Sequence, residues 1–226
     1  MNSFVRLDFC KPEKAGMKIN INNPDKKSVK RISAVIRKGG VVLYPTDTVY
    51  GLGCDPFNIS SLEKIFRLKG RAPEKGVLLL IPSGDWLSRI ATVINPENIK
   101  LCNAWWPGPV TCLFRAGPDL PDLLTGSEGK IGIRLPDNRF LLDCMEAIPG
   151  PLVSTSANPA GKPAPADFAE IDPQILNGVD LCIENTAAAI AGKKPSTVVD
   201  LSGDEPLVVR RGEGLNLVAE SGIRIE

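Results

Sequence analysis

Small polar residues recur directly after hydrophobic segments of this 226-residue sequence. The run 46–48 (TDT) follows the apolar residues 41–44, and the run 154–158 (STSAN) follows the apolar pair 152–153. Loops at the ends of strands often carry binding and catalytic groups. Hydroxyls, an amide and backbone N–H groups at close quarters can bind an anionic ligand. Each run is also compatible with a turn whose hydroxyls bond to the local backbone.

Cationic residues occupy further positions at which an anion could be bound. Lys69 and Arg71 are separated by one residue past a predicted helix end. They could hold adjacent phosphates, or they could complement the helix dipole. Arg134 interrupts an apolar strand pattern, and such an arginine usually pairs with a phosphate or a carboxylate, including an internal Asp or Glu. Ser196 enters a later strand, and Arg210 leaves the last one.

The residue types that are missing restrict the chemistry. The sequence contains no histidine, which removes Ser–His and Cys–His dyads and histidine metal sites. It has no GxxxxGK[ST] loop, and Gly51 and Gly53 lack the third glycine of GxGxxG because Pro56 stands there. Catalysis would therefore depend on Lys, Arg, carboxylates, hydroxyls, backbone groups or a recruited metal ion.

Composition and charge narrow the class of protein. Lys and Arg number 27 and Asp and Glu number 26, for a net charge of +1. This balance argues against a globally basic nucleic-acid binder, and the 43% hydrophobic content is that of a globular domain. Ten of the Lys and Arg residues fall within residues 1–38, against three acids. That segment is either a solvated helix face with a flexible start or a patch that attracts phosphate.

No targeting or disulfide pattern is present. No apolar run approaches the ~20 residues of a membrane helix, and residues 1–16 lack the apolar region of a signal peptide. The sequence therefore predicts a cytoplasmic location without membrane association. The six cysteines show no CxxC spacing, and we interpret them as small buried hydrophobic residues.

Helical and strand patterns alternate along the chain and predict an α/β fold. The 105–109 segment (WWPGP) is typical of a hydrophobic anchor, and no linker divides the chain. The predicted helices are 28–38, capped from 23–25, 60–68, capped by Ser60 or Ser61, and 84–91, 95–105 and 138–147. The predicted strands are 41–44, 77–81, 110–115, 130–135, 152–153, 180–184, 196–201 and 206–210, with loops at 45–53 and 159–165.

Seven segments in this order resemble the YrdC/TsaC family of L-threonylcarbamoyladenylate synthases, in its short, single-domain branch. They are YPTDTVYGLG (44–53), LKGR (68–71), WPGPVT (106–111), IRLP (133–136), STSAN (154–158), STVVD (196–200) and VVRRG (208–212). The resemblance implies a twisted mixed sheet flanked by helices, with a concave, positively charged cavity. It implies a catalytic domain at 17–212 and a tail at 213–226. Residues 1–16 are then an extension, or Met17 is the true initiator.

The resemblance also implies an activity. Family members join L-threonine, bicarbonate and ATP into threonylcarbamoyl-AMP and release pyrophosphate, which makes them nucleotidyltransferases. The product serves the t6A modification of tRNA. ATP is thus implied as a substrate, with Mg²⁺ carried on it, and the protein is linked to the complex that transfers the threonylcarbamoyl group to tRNA. A direct contact with tRNA is left open.

The family motifs imply two sets of contacts. L-Threonine is expected at Thr46, Arg134, Ser154 and Ser196, with Arg134 on its carboxylate. ATP is expected at Lys69, Arg71, Lys75, Ser156, Asn158 and Arg210, with Lys69 and Arg71 as the catalytic cations. No protein residue is implied as a metal ligand. Many relatives carry a histidine in the strand after the Lys69–Arg71 motif, a position that falls within residues 78–80 here, preferentially at Leu80. Many carry proline at position 211, so that either Arg210 or Arg211 faces the cavity.

Two other functions fit parts of the sequence. A tRNA-binding or double-stranded RNA-binding module without catalysis would use a basic concave surface. The net charge, the 5% aromatic content and the missing RNP pattern speak against it. A carbamoyl-transfer domain of the hydrogenase-maturation kind would share the fold. Such proteins are longer and carry zinc fingers, whereas CxxC pairs are absent here.

Overall fold

The computed structural model describes residues 17–72, 76–148, 150–186, 190 and 194–225. The predictions for residues 1–16, for Lys75 and for Cys10 lie outside this part of the chain. The described strands are β1 (Met17–Ile19), β2 (Val42–Pro45), β3 (Tyr50–Gly53), β4 (Leu78–Leu80), β5 (Ala91–Thr92), β6 (Val110–Ala116), β7 (Lys130–Arg134), β8 (Leu152–Ser156), β9 (Leu181–Asn185), β10 (Thr197–Asp200) and β11 (Leu207–Arg210). The helices are α1 (Lys26–Arg37), α2 (Ile59–Lys69), α3 (Leu87–Ile90), α4 (Glu97–Trp105), α5 (Asp122–Thr125), α6 (Arg139–Ala147), α7 (Pro173–Gly178) and α8 (Leu215–Glu220).

These strands form one mixed sheet in the order β1-β9-β2-β3-β8-β4-β7-β6-β10-β11, with β5 beside β6. Successive residues of a strand point to opposite faces, and the two faces are covered by different helices. Leu43 lies in the core cluster that includes residues of α2, α4, α7 and α8. Its neighbours Val42 and Tyr44 lie in the cluster with α1 and α6. The predicted α/β class is therefore confirmed.

Helix α2 shows how local chemistry sets the element limits. Asn58 caps its start, and the Asn58 side chain accepts a hydrogen bond from the Ser61 N–H at 3.1 Å. The predicted cap at Ser60 or Ser61 is wrong, because both residues lie inside the helix. The helix ends at Gly70, whose φ of 56° lies in the left-handed region that glycine adopts without strain. The Arg71 N–H donates to the Phe66 carbonyl oxygen at 3.1 Å, which closes the end of the helix.

The predicted loop at 45–53 contains a strand. Residues 50–53 form β3, which pairs antiparallel with both β2 and β8. The glycines at 51 and 53 hide the strand pattern in the sequence. A Cβ at Gly53 would lie 2.5 Å from the Val153 carbonyl oxygen and 2.7 Å from the Tyr44 ring. Glycine is thus required there by the close approach of neighbouring backbone.

Gly53→Ala is therefore expected to destabilise the protein by about 1–3 kcal/mol, since overpacking a tight site costs that much. Chemical denaturation with urea would measure the change. The matched control is Gly203→Ala, because a Cβ at Gly203 would meet no atom within 4 Å. Equal stabilities of the two variants would contradict the packing argument.

Several short elements had no sequence prediction. They are β1, α5, α7 and α8, each six residues or fewer and too short to show a full hydrophobic period. Strand β5 begins at Ala91, which the sequence had placed at the end of the predicted helix 84–91. Helix α8 falls in the segment 213–226 that the sequence set apart as a tail. Its Val218 is fully buried, and Ser221 accepts a hydrogen bond from the Trp105 indole N–H at 2.9 Å. Residues of this segment thus pack on the core of the domain.

The packing predictions for Trp105 and for the described cysteines agree with the structure. Trp105 is 1% exposed, as expected of a hydrophobic anchor. The five cysteines within the described part of the chain are free thiols and buried. None of the helices in that part is long and apolar enough to cross a membrane.

Candidate functional site

A cavity of ≈ 330 Å³ opens where β3, β4, β6, β7, β8 and β10 meet. Among the lining residues that the structure describes, Arg71, Lys130, Arg134 and Arg210 are cations and Glu128 is the single carboxylate. The structure brings seven of the ten predicted site residues to this cavity: Thr46, Arg71, Arg134, Ser154, Ser156, Ser196 and Arg210. Residues from all parts of the chain between 46 and 210 thus meet at one place.

Thr46 is buried and shapes the loop after β2. Its hydroxyl donates to the Val49 carbonyl oxygen at 2.6 Å and accepts from the N–H groups of Thr48 and Val49 at 3.0 and 3.1 Å. The interpretation of residues 46–48 as a hydroxyl-bonded turn is therefore correct. The same turn places both threonines on the cavity wall.

Arg134 and Asp47 form a desolvated ion pair beside this turn. Arg134 Nη1 lies 3.0 Å from Asp47 Oδ1, and the two side chains are 3% and 13% exposed. Within the described structure the buried Nε of Arg134 has no hydrogen-bond acceptor. Arg134 thus pairs with an internal carboxylate, that of Asp47, through one edge of its guanidinium. The residue still lines the cavity and retains donor capacity for a second anion.

Asp47→Ala is expected to lower the free energy of unfolding by about 3 kcal/mol, because it leaves the buried Arg134 charge uncompensated. The control is Asp143→Ala. It breaks the exposed pair between Arg139 and Asp143, whose side chains are 69% and 26% exposed, and such a pair contributes about 1 kcal/mol or less. Urea titrations of both variants would test the difference. A smaller loss for Asp47→Ala than for Asp143→Ala would contradict this account.

Lys69 does not line the cavity but holds one of its walls. Its ammonium donates to the Ser156 carbonyl oxygen, to the Asn158 carbonyl oxygen at 2.8 Å and to Asn158 Oδ1 at 3.4 Å. The Lys69 carbonyl in turn accepts from the Ala160 N–H at 2.7 Å. Burial, together with the charge of Arg71, lowers the pKa of Lys69 to about 8. The ammonium has three hydrogens to donate, and through these hydrogen bonds Lys69 holds the 154–158 segment (STSAN) against the end of α2.

Arg71 and Arg210 supply cations from two other sides. Arg71 Nη2 donates to the Gly76 carbonyl oxygen at 2.6 Å. Arg210 donates to the Ser196 carbonyl oxygen at 2.9 and 3.1 Å and to its hydroxyl at 3.1 Å. Burial and then the charges of Arg134 and Arg71 lower the pKa of Arg210. Arg71 and Arg134 thus repel the Arg210 guanidinium, and a bound polyanion would relieve this repulsion.

The structure also resolves two questions that the sequence left open. Arg210, and not Arg211, is among the lining residues. Leu80, the predicted position of the missing family histidine, lies in the core and is fully buried. The β4 residue that lines the cavity is Leu78. An apolar side chain therefore occupies this wall.

Sequence reasoning missed several lining residues. Thr111 accompanies Ser196, with their hydroxyl oxygens 2.8 Å apart. Lys130 lies four residues before Arg134 on β7. The signal for Lys130 was available, because residues at i and i+4 of a strand share a face. Thr111 is the last residue of the WPGPVT segment (106–111), one of the seven segments that carry the family resemblance.

The chain is thus an α/β domain whose mixed sheet carries a cavity lined by hydroxyls and guanidiniums, groups suited to an anionic ligand. The class is narrower than that. Residues 34–212 match the Sua5/YciO/YrdC family model, which carries the description "Telomere recombination". This chain belongs to that family, as the seven sequence segments predicted.

Individual relatives support the same assignment. The chain is 33% identical over 178 residues to the threonylcarbamoyl-AMP synthase of Stutzerimonas stutzeri strain A1501, covering 78% of this chain and 94% of that protein. It matches the crystal structure of Escherichia coli YciO with a TM-score of 0.79 and 31% identity, covering 87% and 94% of the two chains. It matches Pyrococcus abyssi Sua5 complexed with L-threonine with a TM-score of 0.80 and 28% identity, covering 87% of this chain and 57% of that one.

Proposed function

We propose that this protein is a threonylcarbamoyl-AMP synthase that uses L-threonine, bicarbonate and ATP. The observation that carries the proposal is the single cavity in which a desolvated arginine, a set of hydroxyls and two further arginines converge. A substrate with a carboxylate, a hydroxyl and a polyphosphate matches these three kinds of group. Relatives of this chain bear the name of that activity, and a structural neighbour is complexed with L-threonine.

The amino acid is assigned to the end of the cavity beside Arg134. The guanidinium edge that does not face Asp47 binds the threonine carboxylate. Ser154 and Ser196 are both at most 4% exposed and offer hydroxyls to the amino acid. Thr46 contributes through the turn that it stabilises. These contacts orient the threonine nitrogen towards the nucleotide.

The reaction needs positioned charge more than a tuned base. The threonine nitrogen and bicarbonate form a carbamate with loss of water. A carbamate oxygen then attacks the α-phosphorus, the bond from that phosphorus to the bridging oxygen breaks, and its electron pair leaves with pyrophosphate. The barrier lies in bringing anions together and stabilising the leaving group, for which cations and oriented donors suffice. A protein without histidine can therefore perform this chemistry.

The nucleotide is assigned to the cationic end. Arg71 and Arg210 bind phosphate oxygens. Ser156 and Asn158 hold the nucleotide on the segment that Lys69 fixes in place. Lys75 is proposed for the same role from the family motif. Mg²⁺ is expected to enter on ATP as part of that substrate.

Three features beyond the site remain predictions. The catalytic domain is expected to span residues 17–212. The product is expected to pass to the complex that transfers the threonylcarbamoyl group to tRNA. A cytoplasmic location is expected for both steps.

Release of pyrophosphate from ATP, with threonine and bicarbonate omitted in turn, tests the proposal. We expect release that requires both and that is much weaker with serine in place of threonine. Release that is independent of threonine and bicarbonate would overturn it. So would the absence of turnover in a folded protein that binds ATP. A tRNA titration across salt concentrations would then test the nucleic-acid module instead.

A further inference from the structure

Strand β7 presents a second cation to the cavity besides Arg134. Lys130, Gly132 and Arg134 line the cavity, while Ile131 and Ile133 are fully buried in the core. This alternation is the period of a strand, and a rise of ~3.3 Å per residue places Lys130 and Arg134 about 13 Å apart along it. One straight element therefore holds two cations at a fixed spacing on the cavity wall.

Lys130 lies at the same end of the cavity as Arg71. The parallel register of β4 and β7 pairs Leu78 with Gly132. Gly76 precedes β4 by two residues, and a Cβ placed on it would lie 3.0 Å from the Leu124 carbonyl oxygen and 3.2 Å from that of Thr125, in the segment that leads to β7. Gly76 is the residue whose carbonyl accepts the Arg71 guanidinium at 2.6 Å. Both cations line the cavity, and the Arg71 partner Gly76 lies beside the segment that leads to Lys130.

The Lys130 ammonium is ion-paired but still partly exposed to solvent. It lies 2.8 Å from Asp200 Oδ2 and 3.0 Å from Glu128 Oε2, and the Lys130 side chain is 27% exposed. The hydrogen bonds to Asp200 and then Glu128 raise the pKa of Lys130, so the charge is secure at neutral pH. An ammonium has three hydrogens, and these two carboxylates accept two of them. Glu128 is 72% exposed, so water can replace it as a partner of the ammonium.

In-line displacement at phosphorus predicts which part of ATP lies at the Lys130 end of the cavity. The attacking and leaving oxygens lie on opposite sides of the phosphorus. If Arg134 binds the amino-acid carboxylate, pyrophosphate must depart away from Arg134. Because Lys130 lies at the far end of the same strand face, it stands where the leaving group goes.

We propose that Lys130 binds the β- and γ-phosphates of ATP and stabilises the pyrophosphate that leaves. This inference rests on the proposed function and adds a residue to it. As the bond from the α-phosphorus to the bridging oxygen breaks, negative charge develops on pyrophosphate, and Lys130 offers it an ammonium hydrogen. Lys130 also distinguishes ATP from AMP, because AMP has no phosphate at that position.

Binding measurements on Lys130→Met test this role. The variant keeps the methylene chain but loses the charge, so we expect ATP affinity to fall roughly tenfold or more by calorimetry, since hydrogen bonds to charged groups are the strong ones. Affinities for AMP and L-threonine should change less than twofold, and Lys130→Arg should restore most of the ATP affinity. The matched control is Lys100→Met. Lys100 is paired with Glu97 at 2.7 Å on the surface and is 76% exposed, so its replacement should leave all three affinities unchanged.

A second variant separates phosphate binding from a structural role. Asp200→Asn breaks the same ion pair but keeps the ammonium, so its ATP affinity should stay within about threefold of that of the parent. An equal loss of ATP affinity in Asp200→Asn and Lys130→Met would overturn the proposal. Equal losses of ATP and AMP affinity in Lys130→Met, or no loss of ATP affinity, would overturn it too. These binding measurements need no turnover. They therefore test the role of Lys130 independently of the proposed function, which is tested by threonine-dependent release of pyrophosphate from the parent protein.

Discussion

Replacing Arg71 with alanine is expected to lower threonine-dependent pyrophosphate release about 10²–10³-fold, the usual cost of removing one charge-stabilising donor. Arg71 lines the cavity, and burial lowers the pKa of its guanidinium. A cation that has already lost part of its hydration interacts strongly with phosphate. The residue lies just past α2, so its removal should leave the helix intact.

The control for this prediction comes from the same helix. Arg67 is 69% exposed and pairs with Glu63 at 3.7 Å, so Arg67→Ala should keep the rate within about twofold. Initial rates at varied ATP concentration, with circular dichroism to check folding, would measure both variants. If Arg71→Ala retained a rate close to that of the parent protein, the assignment of Arg71 to phosphate would be wrong.

Lys69→Ala is expected to reduce both activity and stability. The variant removes the Lys69 donor from the Asn158 carbonyl oxygen and leaves the Ser156 carbonyl only the Asn158 N–H at 3.0 Å. An unsatisfied group that is removed from water costs about 1–3 kcal/mol. The segment that Lys69 fixes then loses its register against α2. We expect a rate loss of at least about 10²-fold together with a lower melting temperature. A variant as active as the parent would contradict this role.

The pKa of Lys69 adds a pH signature. Since the pKa is about 8 in the unliganded protein, the ammonium loses its proton as pH rises through that value. ATP affinity of the parent protein should therefore fall between pH 7 and pH 9. Lys69→Met should show no such step, because it has no proton to lose. A flat parent profile would exclude Lys69 from control of ATP binding.

The lowered pKa of Lys69 also makes stability depend on pH, in the direction opposite to that of ATP affinity. The unfolded chain keeps the lysine proton up to its ordinary pKa of 10.5, whereas the folded protein loses it near pH 8. Between these values the unfolded state binds more protons, so this residue makes stability rise with pH. Urea titrations at pH 7.5 and 9.5, compared between the parent protein and Lys69→Met, would isolate the effect.

Much of the framework was determined by the sequence itself. Apolar residues at helical spacing predicted α1, α2, α4 and α6 to within a few residues, because burial of one face imposes that period. Continuous apolar runs predicted β6 and β7. The ordered segments from residue 44 to residue 212 were enough to identify the family, since each keeps both its residue types and its place in the chain.

The tertiary structure alone decided which polar groups meet. Arg134 pairs with Asp47, and Lys69 binds the Ser156 carbonyl, each across 87 residues of sequence. Sequence periodicity predicts neither pairing, because each depends on the order of strands in the sheet and not on local spacing. Lys130 belongs to the cavity for the same reason. Its neighbours are set by the pairing of β7 with β4 and β6, a long-range arrangement fixed by burial of the whole sheet.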